Sequence, residues 1–583
     1  MTQSRTADSR KSKRARQAQA GSGPRQLDLL RAAGTGPEVR LQTDPAAGPQ
    51  RPAEAAVKPE APATAARRET AESMAARQRE ISVSEFFTKN RHLLGFDNPQ
   101  KALLTAIKEA VDNSLDACEE AGILPVLKIE IQQLAEDRFR IAVEDNGPGI
   151  VKAQVPRIFG KLLYGSKFHT LKQARGQQGI GISAAGMYGL LTTGKSVVVI
   201  SCTGVGKPAH YYEIQIDTRK NAPQIIADEI RTWAPPHGTR VEIELVGTYK
   251  KGRHSVDDYI RQTAIANPHC EISYSFPGGH GSQHYPRASE ELPPEPREIK
   301  PHPYGVELGA LIKMMKETRA RNLSAALQHD FSRVSARVAQ EICQAAQLRP
   351  SANPHSIAVN EAERLYRAIN SVRIMSPPTN CLSPIGEQQI LSGMKKEIPA
   401  AFLTAITRAP AVYRGNPFQI EVGMAYGGDL PADDLIDLLR FANRVPLQYQ
   451  QSACAITKAV LSVDWRNYGL SMARGALPAG PMALFVHIAS VWVPFTSESK
   501  EAIASYPEIM RELRLALQDC GRRLGMHIRA HRRNLEEEKK KSYIDRYIPH
   551  IGIALREILG FPEKTEVALV SALRDILERS RTH

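Results

Sequence analysis

The sequence predicts a multidomain α+β protein, because 583 residues are too many for one hydrophobic core and the hydrophobic pattern changes along the chain. Helical and strand-like patterns occur together in residues 81–300 and again in residues 381–545, which predicts an α/β sandwich in each. Residues 301–380 between them have a helical pattern. The remaining segments, residues 1–80 and 546–583, are predicted to be a tail and a pair of terminal helices.

Residues 1–80 are predicted to form a disordered basic tail. They contain no Phe, Trp or Tyr, so they bury too little apolar surface to offset the entropy of ordering. The basic cluster at residues 10–16 favours either a solvated arm or loose tethering to DNA. The Arg content is also typical of a transit peptide, but the acidic residues of the segment count against one.

Charge, hydropathy and cysteine usage limit the class of protein. The net charge of +15 favours a polyanionic partner, although charge alone does not separate DNA from RNA or from an acidic membrane surface. No stretch approaches the roughly 20 uninterrupted apolar residues that a membrane helix needs. The seven cysteines are scattered without a C-x-x-C pair, which argues against a zinc site or disulfide framework and favours a reducing cytoplasm.

The first sandwich is predicted from one helix and a run of strands. Apolar residues recur at spacings of three and four from Pro99 to Glu120, the pattern of an amphipathic helix. Strands are predicted at Leu127–Gln132, Arg138–Glu144, 195–202, 210–217 and 239–246. Residues 277–304 hold several Pro and Gly residues and are predicted to be a linker.

The remaining elements are predicted from the same periodicities. The helical segment is expected to contain four helices, at Val306–Thr318, Asn322–Phe331, Ser335–Ala346 and Asn360–Ile369. The second sandwich is expected to contain strands Phe418–Met424 and Met482–Val493 and helices Asp434–Ala442 and Ala455–Val463. A long helix is expected from about Ser499 to beyond Arg533. Ile551–Phe561 and Thr565–Leu577 are predicted to be amphipathic helices whose apolar faces either dock a partner or pack on their own domain.

The first chemically informative motif lies within the amphipathic helix. Glu109 and Asn113 are four residues apart, as are Asp112 and Asp116, so polar groups line one edge of the apolar stripe. Oxygen-bearing side chains are the ligands that Mg²⁺ prefers, and a carboxylate one turn away could polarise an attacking water. Alone the motif is weak, because acidic helix faces are usually only solvated.

Two glycine-containing motifs follow. Glu144-Asp145-Asn146-Gly147-Pro148-Gly149 comes directly after a strand, where glycines permit a sharp turn or a close backbone approach. Alone this stretch also fits an ordinary loop of turn residues. The glycine-rich loop from Gly176 to Ser183 leads into a predicted helix, whose N-terminus favours anions. Its G-x-x-G-x-G pattern is neither the Rossmann nor the Walker motif.

Together, in this order and spacing, the three motifs resemble the N, G1 and G2 boxes of the GHKL ATPase superfamily. That superfamily includes type II topoisomerases, mismatch-repair ATPases, a heat-shock chaperone and histidine kinases. The resemblance implies a Bergerat-type GHKL ATPase α/β sandwich over residues 81–300, with ATP and Mg²⁺ as its ligands.

The same resemblance implies roles for individual residues. Glu109 would activate the attacking water, Asn113 would hold Mg²⁺, and Asp145, followed by Gly147 and Gly149, would bind the adenine amino group. The expected phosphate-binding residues are the side chains and loop residues Ser166, Lys167, Gly176, Gln177, Gln178, Gly179, Ile180, Gly181, Ile182 and Ser183.

A fourth group of motifs narrows the family. The segments Arg440–Tyr449, Trp492–Ala504 and Pro377–Glu387 resemble the transducer domain of the B subunits of type IIB DNA topoisomerases, expected here over residues 381–545 with a long C-terminal helix. Residues 301–380 resemble the helix-two-turn-helix domain of that family. In this interpretation Lys500, near the start of a helix, is a switch lysine that contacts the γ-phosphate and takes part in catalysis.

The resemblance implies an ATP-binding and hydrolysing component of a type IIB DNA topoisomerase, an isomerase acting in the cytoplasm at the nucleoid. ATP would drive self-dimerisation of a gate around double-stranded DNA. The topoisomerase VI A subunit, joined through residues 546–583 in an A2B2 heterotetramer, would break the duplex through which the captured segment passes, relaxing supercoils and decatenating DNA. No membrane partner is expected. The alternatives are another GHKL ATPase, such as a mismatch-repair ATPase or histidine kinase, and a non-hydrolysing DNA-binding scaffold.

Overall fold

The computed structural model describes residues 71–78, 81–167, 170–176, 179–279 and 281–579. Two compact units are distinguished, residues 1–79 and residues 80–583. The described part of the first unit contains one short helix, α1 (Ala71–Ala75). The prediction of a disordered tail over residues 1–80 therefore falls almost entirely outside the described residues.

An eight-stranded sheet forms the framework of the first sandwich, which confirms the predicted α/β architecture. The strand order is β5-β4-β3-β6-β2-β1-β7-β8, and only the β1–β7 pair is parallel. The strands are β1 (Val126–Ala135), β2 (Arg138–Asp145), β3 (Val197–Cys202), β4 (Ala209–Asp217), β5 (Ala222–Arg231), β6 (Gly238–Val246), β7 (Glu271–Ser275) and β8 (Ser282–Tyr285). Strands β5, β7 and β8 were not predicted, and β8 lies within the predicted linker.

Helices pack against this sheet and cover its apolar side. They are α2 (Val83–Lys89), α3 (Pro99–Glu120), α4 (Val155–Gly160), α5 (Gly181–Thr193) and α6 (Val256–Ala266). The predicted amphipathic helix is confirmed as α3. It starts where the Asn98 side chain accepts a hydrogen bond from the Lys101 backbone N–H at 2.8 Å, with Pro99 in the first turn. Its apolar stripe, which includes Leu103, Ile107 and Leu115, is fully buried.

Four helices with their own hydrophobic core follow the first sandwich, as predicted. They are α7 (Leu308–Glu317), α8 (Leu323–Asp330), α9 (Ala336–Ala346) and α10 (Val359–Ser371). The side chains of Asn322 and Ser335 cap α8 and α9 by accepting hydrogen bonds from backbone N–H groups three residues on.

A six-stranded sheet forms the second sandwich. Its order is β10-β11-β14-β12-β13, with β9 also paired to β11. The strands are β9 (Phe402–Thr407), β10 (Ala411–Tyr413), β11 (Asn416–Tyr426), β12 (Asp437–Ala442), β13 (Val445–Pro446) and β14 (Met482–Ser490). The accompanying helices are α11 (Glu387–Glu397), α12 (Ala455–Leu461), α13 (Pro507–Leu559) and α14 (Glu563–Arg579). No helix within the described ranges is long and apolar enough to cross a membrane.

The predicted helix over Asp434–Ala442 is wrong, because residues 437–442 form strand β12. This strand pairs in parallel with β14 and lies inside the sheet, where Leu439, Phe441 and Ala442 are buried. A strand buried on both faces has a nearly continuous apolar run, and over six residues such a run also fits helical spacing. Tertiary pairing, rather than local periodicity, determines the conformation here.

The predicted start of the long helix at about Ser499 is also wrong. Helix α13 begins at Pro507, whose fixed φ suits the first helical turn. It continues without interruption for 53 residues to Leu559, passing through Pro549, so the predicted separate helix from Ile551 is its final part. Gly560, in a left-handed conformation at φ 67°, ends it.

Glu421 and His487 form a buried pair between β11 and β14. His487 Nδ1 donates to Glu421 Oε2 at 2.8 Å, while its Nε2 accepts from the Arg444 backbone N–H at 2.9 Å, the pattern of a neutral imidazole. The backbone N–H groups of Ile385 and Gly386 also donate to the carboxylate, at 2.8 and 2.7 Å. Burial alone would raise the pKa of Glu421, but the hydrogen bonds lower it below its ordinary value. Burial lowers the pKa of His487.

We expect Glu421→Gln to lower the free energy of unfolding by about 3 kcal/mol at neutral pH, because the amide turns an N–H group toward buried donors that bond to the carboxylate. Because the folded pKa of Glu421 is depressed, its stabilisation is present above its ordinary pKa of 4.5 and is lost as pH falls below that value. The variant should therefore lose part of the acid sensitivity seen by scanning calorimetry. Glu317→Gln, at a carboxylate 66% exposed, is the control and should change stability little. Equal thermal midpoints for the two variants would contradict this account.

Candidate active site

A cavity of about 640 Å³ opens beside α3, between the loop after β2, the glycine-rich loop before α5 and a loop from the second sandwich. It brings together most of the predicted site residues: Glu109, Asn113, Asp145, Gly149, Ser166, Lys167, Gly176, Gly179, Gly181, Ile182, Ser183 and Lys500. Gly147 and Ile180 are not among its lining residues. Gln177 and Gln178 lie outside the described residues.

Helix α3 presents Glu109 and Asn113 to the cavity one turn apart. The Glu109 carboxylate lies so close to the backbone of Gly181 that a methyl group there would overlap it. The Asn113 side chain is exposed in the cavity and faces Gly176. Asp112 instead lies in the protein interior, where the Tyr259 hydroxyl donates to it at 3.3 Å and burial raises its pKa to about 7.

Asp145, the last residue of β2, is held by three donors. The Ser114 hydroxyl donates to Oδ2 at 2.8 Å, and the backbone N–H groups of Gly147 and Thr239 donate to Oδ1 at 2.9 and 3.2 Å. Burial raises the pKa of Asp145, and these hydrogen bonds oppose that rise. No sequence motif indicated this role for Ser114 or Thr239. The only sequence feature that could have indicated either residue was the hydroxyl of Ser114 on the apolar stripe of α3.

The loop after β2 needs its glycines. Gly149 has φ 70°, a conformation that favours glycine, and a Cβ there would overlap the Cys202 backbone carbonyl. The Asn146 side chain accepts from the Val126 N–H at 2.8 Å and donates to the Leu124 carbonyl at 3.0 Å. These contacts hold the loop against the start of β1 and so keep Asp145 in place.

The glycine-rich loop ends at the N-terminus of α5. Among the residues that the structure describes, no side chain caps this helix, so backbone N–H groups of its first turn suit an anion. The Ser183 hydroxyl, however, donates to the backbone carbonyls of Ile158 or Lys161, both at 3.2 Å. Its side chain therefore fixes α5 against α4.

Lys167 and Arg175 bind the carboxylates at the end of α3. Lys167 Nζ lies 2.6 Å from Asp116 Oδ2, and Arg175 contacts Asp116 Oδ1 at 2.9 Å. Burial alone would raise the pKa of Asp116, but these two cations lower it below its ordinary value. Arg175 also forms a two-point contact with Glu119 at 2.6 and 2.7 Å and donates to Asn267 Oδ1 at 2.6 Å. No sequence motif indicated this role for Arg175.

Lys500 reaches the cavity from the second sandwich. Its Nζ donates to the backbone carbonyl of Arg175 at 3.3 Å, across 325 residues of sequence. The predicted position near a helix start is wrong. Lys500 lies in a loop before α13, with φ 53°.

The described parts of the chain contain no group of three or more His, Cys, Asp and Glu side chains that could hold a metal ion. All seven cysteines are buried as free thiols, so they act as small core side chains. A metal in the cavity would therefore depend on oxygen atoms of a bound ligand as well as of the protein.

Comparisons with known families agree with this geometry. Residues 98–246 match the family described as histidine kinase-, DNA gyrase B-, and HSP90-like ATPase, which supports ATP as the ligand of the cavity. Residues 377–541 match the transducer of the topoisomerase VI B subunit. Neither match favours a mismatch-repair ATPase or a non-hydrolysing scaffold.

Curated relatives match most of the chain. The B subunit of the type 2 DNA topoisomerase 6 from Methanosarcina barkeri is 49% identical, covering 83% of this chain and 78% of the relative. The same protein from Archaeoglobus fulgidus is 46% identical, covering 82% and 80%. A solved DNA gyrase B protein from Myxococcus xanthus aligns with a TM-score of 0.39 and 11% identity over 75% of this chain and 95% of that one, too low to support an inference. The chain belongs to the family of type 2 DNA topoisomerase 6 B subunits, the ATP-driven components of type IIB DNA topoisomerases.

Proposed function

We propose that this chain binds ATP with Mg²⁺ in the cavity beside α3, dimerises around a DNA duplex, and transmits closure to a DNA-cleaving A subunit in an A2B2 complex. The observation that supports this most directly is the entry of Lys500, from the second sandwich, into the cavity of the first. A ligand contacting Lys500 there biases the relative position of the two sandwiches, as γ-phosphate contacts do in other switches.

Glu109 is proposed as the general base for hydrolysis. Its carboxylate lines the cavity and lies against Gly181 in the first turn of α5, next to backbone N–H groups suited to phosphate. A carboxylate beside the phosphates can accept a proton from an attacking water.

Asn113 is proposed as the protein ligand of Mg²⁺. Its exposed amide faces the glycine-rich loop, and it follows Glu109 by one helical turn. One amide oxygen fits an ion that keeps several waters and takes its remaining ligands from substrate phosphates. The bound ion would neutralise phosphate charge during hydrolysis.

Asp145 is proposed to accept a hydrogen bond from the adenine amino group. Its carboxylate is held by three donors and lines the cavity, so its position does not depend on the ligand. The phosphates are proposed to lie at the N-terminus of α5, within reach of Ser166 and Lys167.

The remaining proposals concern DNA and the DNA-cleaving partner. The net charge of +15 suits a duplex partner at the nucleoid of the cytoplasm. Along the end of α13 and on α14, apolar side chains remain exposed, including Ile558, Leu559, Val567 and Ile576, all at least 63% exposed. Such a surface fits docking of the A subunit on residues 546–583.

We propose residues 81–300, 301–380 and 381–545 as the ATPase, helix-two-turn-helix and transducer domains.

We expect Glu109→Gln to lower the turnover number for ATP about 10²- to 10⁴-fold, the range for loss of a general base, while ATP still induces dimerisation. Phosphate release and analytical ultracentrifugation measure the two effects. Glu136→Gln makes the same change at an exposed turn outside the cavity and should leave both unchanged. Normal turnover in Glu109→Gln would show that another group is the base.

We expect Asp145→Asn to weaken ATP binding at least about tenfold. The amide of Asn would turn an N–H group toward one of the donors that bond to the Asp145 carboxylate, which are Ser114, Gly147 and Thr239. Isothermal titration with a non-hydrolysable ATP analogue measures the loss. Glu136→Gln again serves as the control. Unchanged affinity in Asp145→Asn would place the adenine elsewhere.

The whole assignment is tested by strand passage. The chain mixed with the A subunit from its own source should relax supercoiled DNA only when ATP and Mg²⁺ are present, and Glu109→Gln should abolish repeated turnover. Gel electrophoresis of plasmid topoisomers measures this. A complex that forms and hydrolyses ATP but never passes strands would overturn the topoisomerase function of this chain.

A further inference from the structure

The loop that carries Lys500 is a narrow hairpin. Phe495 and Ile503 form an antiparallel bridge, and the Thr496 N–H donates to the Ala502 carbonyl at 2.9 Å. At the tip, the Lys500 N–H donates to the Ser497 carbonyl at 3.1 Å, and Lys500 adopts φ 53°. A non-glycine residue in this left-handed conformation is sterically unfavourable, so surrounding contacts must stabilise the tip.

Glu501, the next residue, supplies one such contact. It is 5% exposed, and its Oε1 lies 2.5 Å from Nζ of Lys101 in the first turn of α3. Lys101 also pairs with Asp97 at 2.9 Å, and its ammonium lies 5.5 Å from the centre of the Tyr449 ring. Adjacent residues of the tip thus contact the first sandwich separately, Lys500 at the cavity and Glu501 at the base of α3.

Burial makes this second contact specific. Burial alone would lower the pKa of Lys101, but the hydrogen bonds and charges of Glu501 and Asp97 raise it above its ordinary value, so the ammonium remains charged. A carboxylate that is 5% exposed is costly to bury without its partner. Burial of Glu501 therefore favours the arrangement of the tip in which its carboxylate meets Lys101.

We propose that Lys101 and Glu501 are positioning residues that hold Lys500 in the nucleotide cavity. Lys101 lies on the helix that also carries Glu109, eight residues further along. The pair therefore aligns Lys500 with the same helix that presents the base. This inference rests on the proposed contact of Lys500 with the nucleotide.

The test is a double-mutant cycle in the full-length chain, with ATP turnover and KM measured for Glu501→Gln, Lys500→Ala and the double variant. Misplacement of a positioned group by about 1 Å costs up to roughly 100-fold in rate. We expect Glu501→Gln to lower kcat about 10- to 100-fold with a smaller change in KM. The double variant should be no slower than Lys500→Ala, because Glu501 would act only through Lys500.

Controls separate this role from a purely structural one. Glu508→Gln, at an exposed carboxylate in the first turn of α13, should leave kcat unchanged. If Glu501→Gln fails to fold, Lys101→Met takes its place in the cycle. It should lower kcat, and combining it with Lys500→Ala should give no loss of kcat beyond that of Lys500→Ala alone. Normal kcat in Glu501→Gln, or losses that multiply in the double variant, would overturn the positioning role. Normal turnover in Lys500→Ala would instead overturn the proposed function of Lys500 itself.

Discussion

The buried guanidinium of Arg175 makes the contacts on which the arrangement of the site depends. The guanidinium bonds to two carboxylates of α3, Asp116 and Glu119, and to the amide oxygen of Asn267 after α6. The backbone carbonyl of Arg175 accepts a hydrogen bond from Lys500. A buried charge is tolerated only when its hydrogen bonds and counter-charges are nearly complete, so these partners are fixed together. The start of the glycine-rich loop is thereby held against the end of α3.

The same segment is joined to the second sandwich by neutral hydrogen bonds. The Gln173 side chain donates to the Ser383 carbonyl at 3.0 Å and accepts from the Ser383 N–H at 2.7 Å. Asn443, at the turn after β12, donates to the Ala174 carbonyl at 3.0 Å. Three consecutive residues, 173–175, therefore contact the second sandwich. A shift of the glycine-rich loop would therefore strain these contacts directly.

The sequence alone predicted those site residues whose positions depend only on their neighbours in the chain. The spacing of Glu109 and Asn113 follows from helical periodicity, and Gly149 follows from a turn that requires positive φ. Long-range pairing was not predictable in this way. β12 was mistaken for a helix because its parallel partner, β14, begins 40 residues after β12 ends. Lys500 was associated with the cavity only through family resemblance, since nothing local to it indicates a contact across 325 residues.

Helix α13 has a mechanical consequence. At 1.5 Å per residue its 53 residues span about 80 Å, more than twice the width of a typical small domain. Its first third is anchored, with Leu513, Leu517, Cys520 and Leu524 buried in the second sandwich, whereas most residues beyond position 525 are exposed. A tilt of about 6° where the anchored part ends, near residue 525, would carry the far end, about 50 Å away, through about 5 Å. Such a helix would amplify a small tilt of the second sandwich, as the proposed contact of Lys500 with a phosphate would produce, into a displacement of several ångströms at its far end.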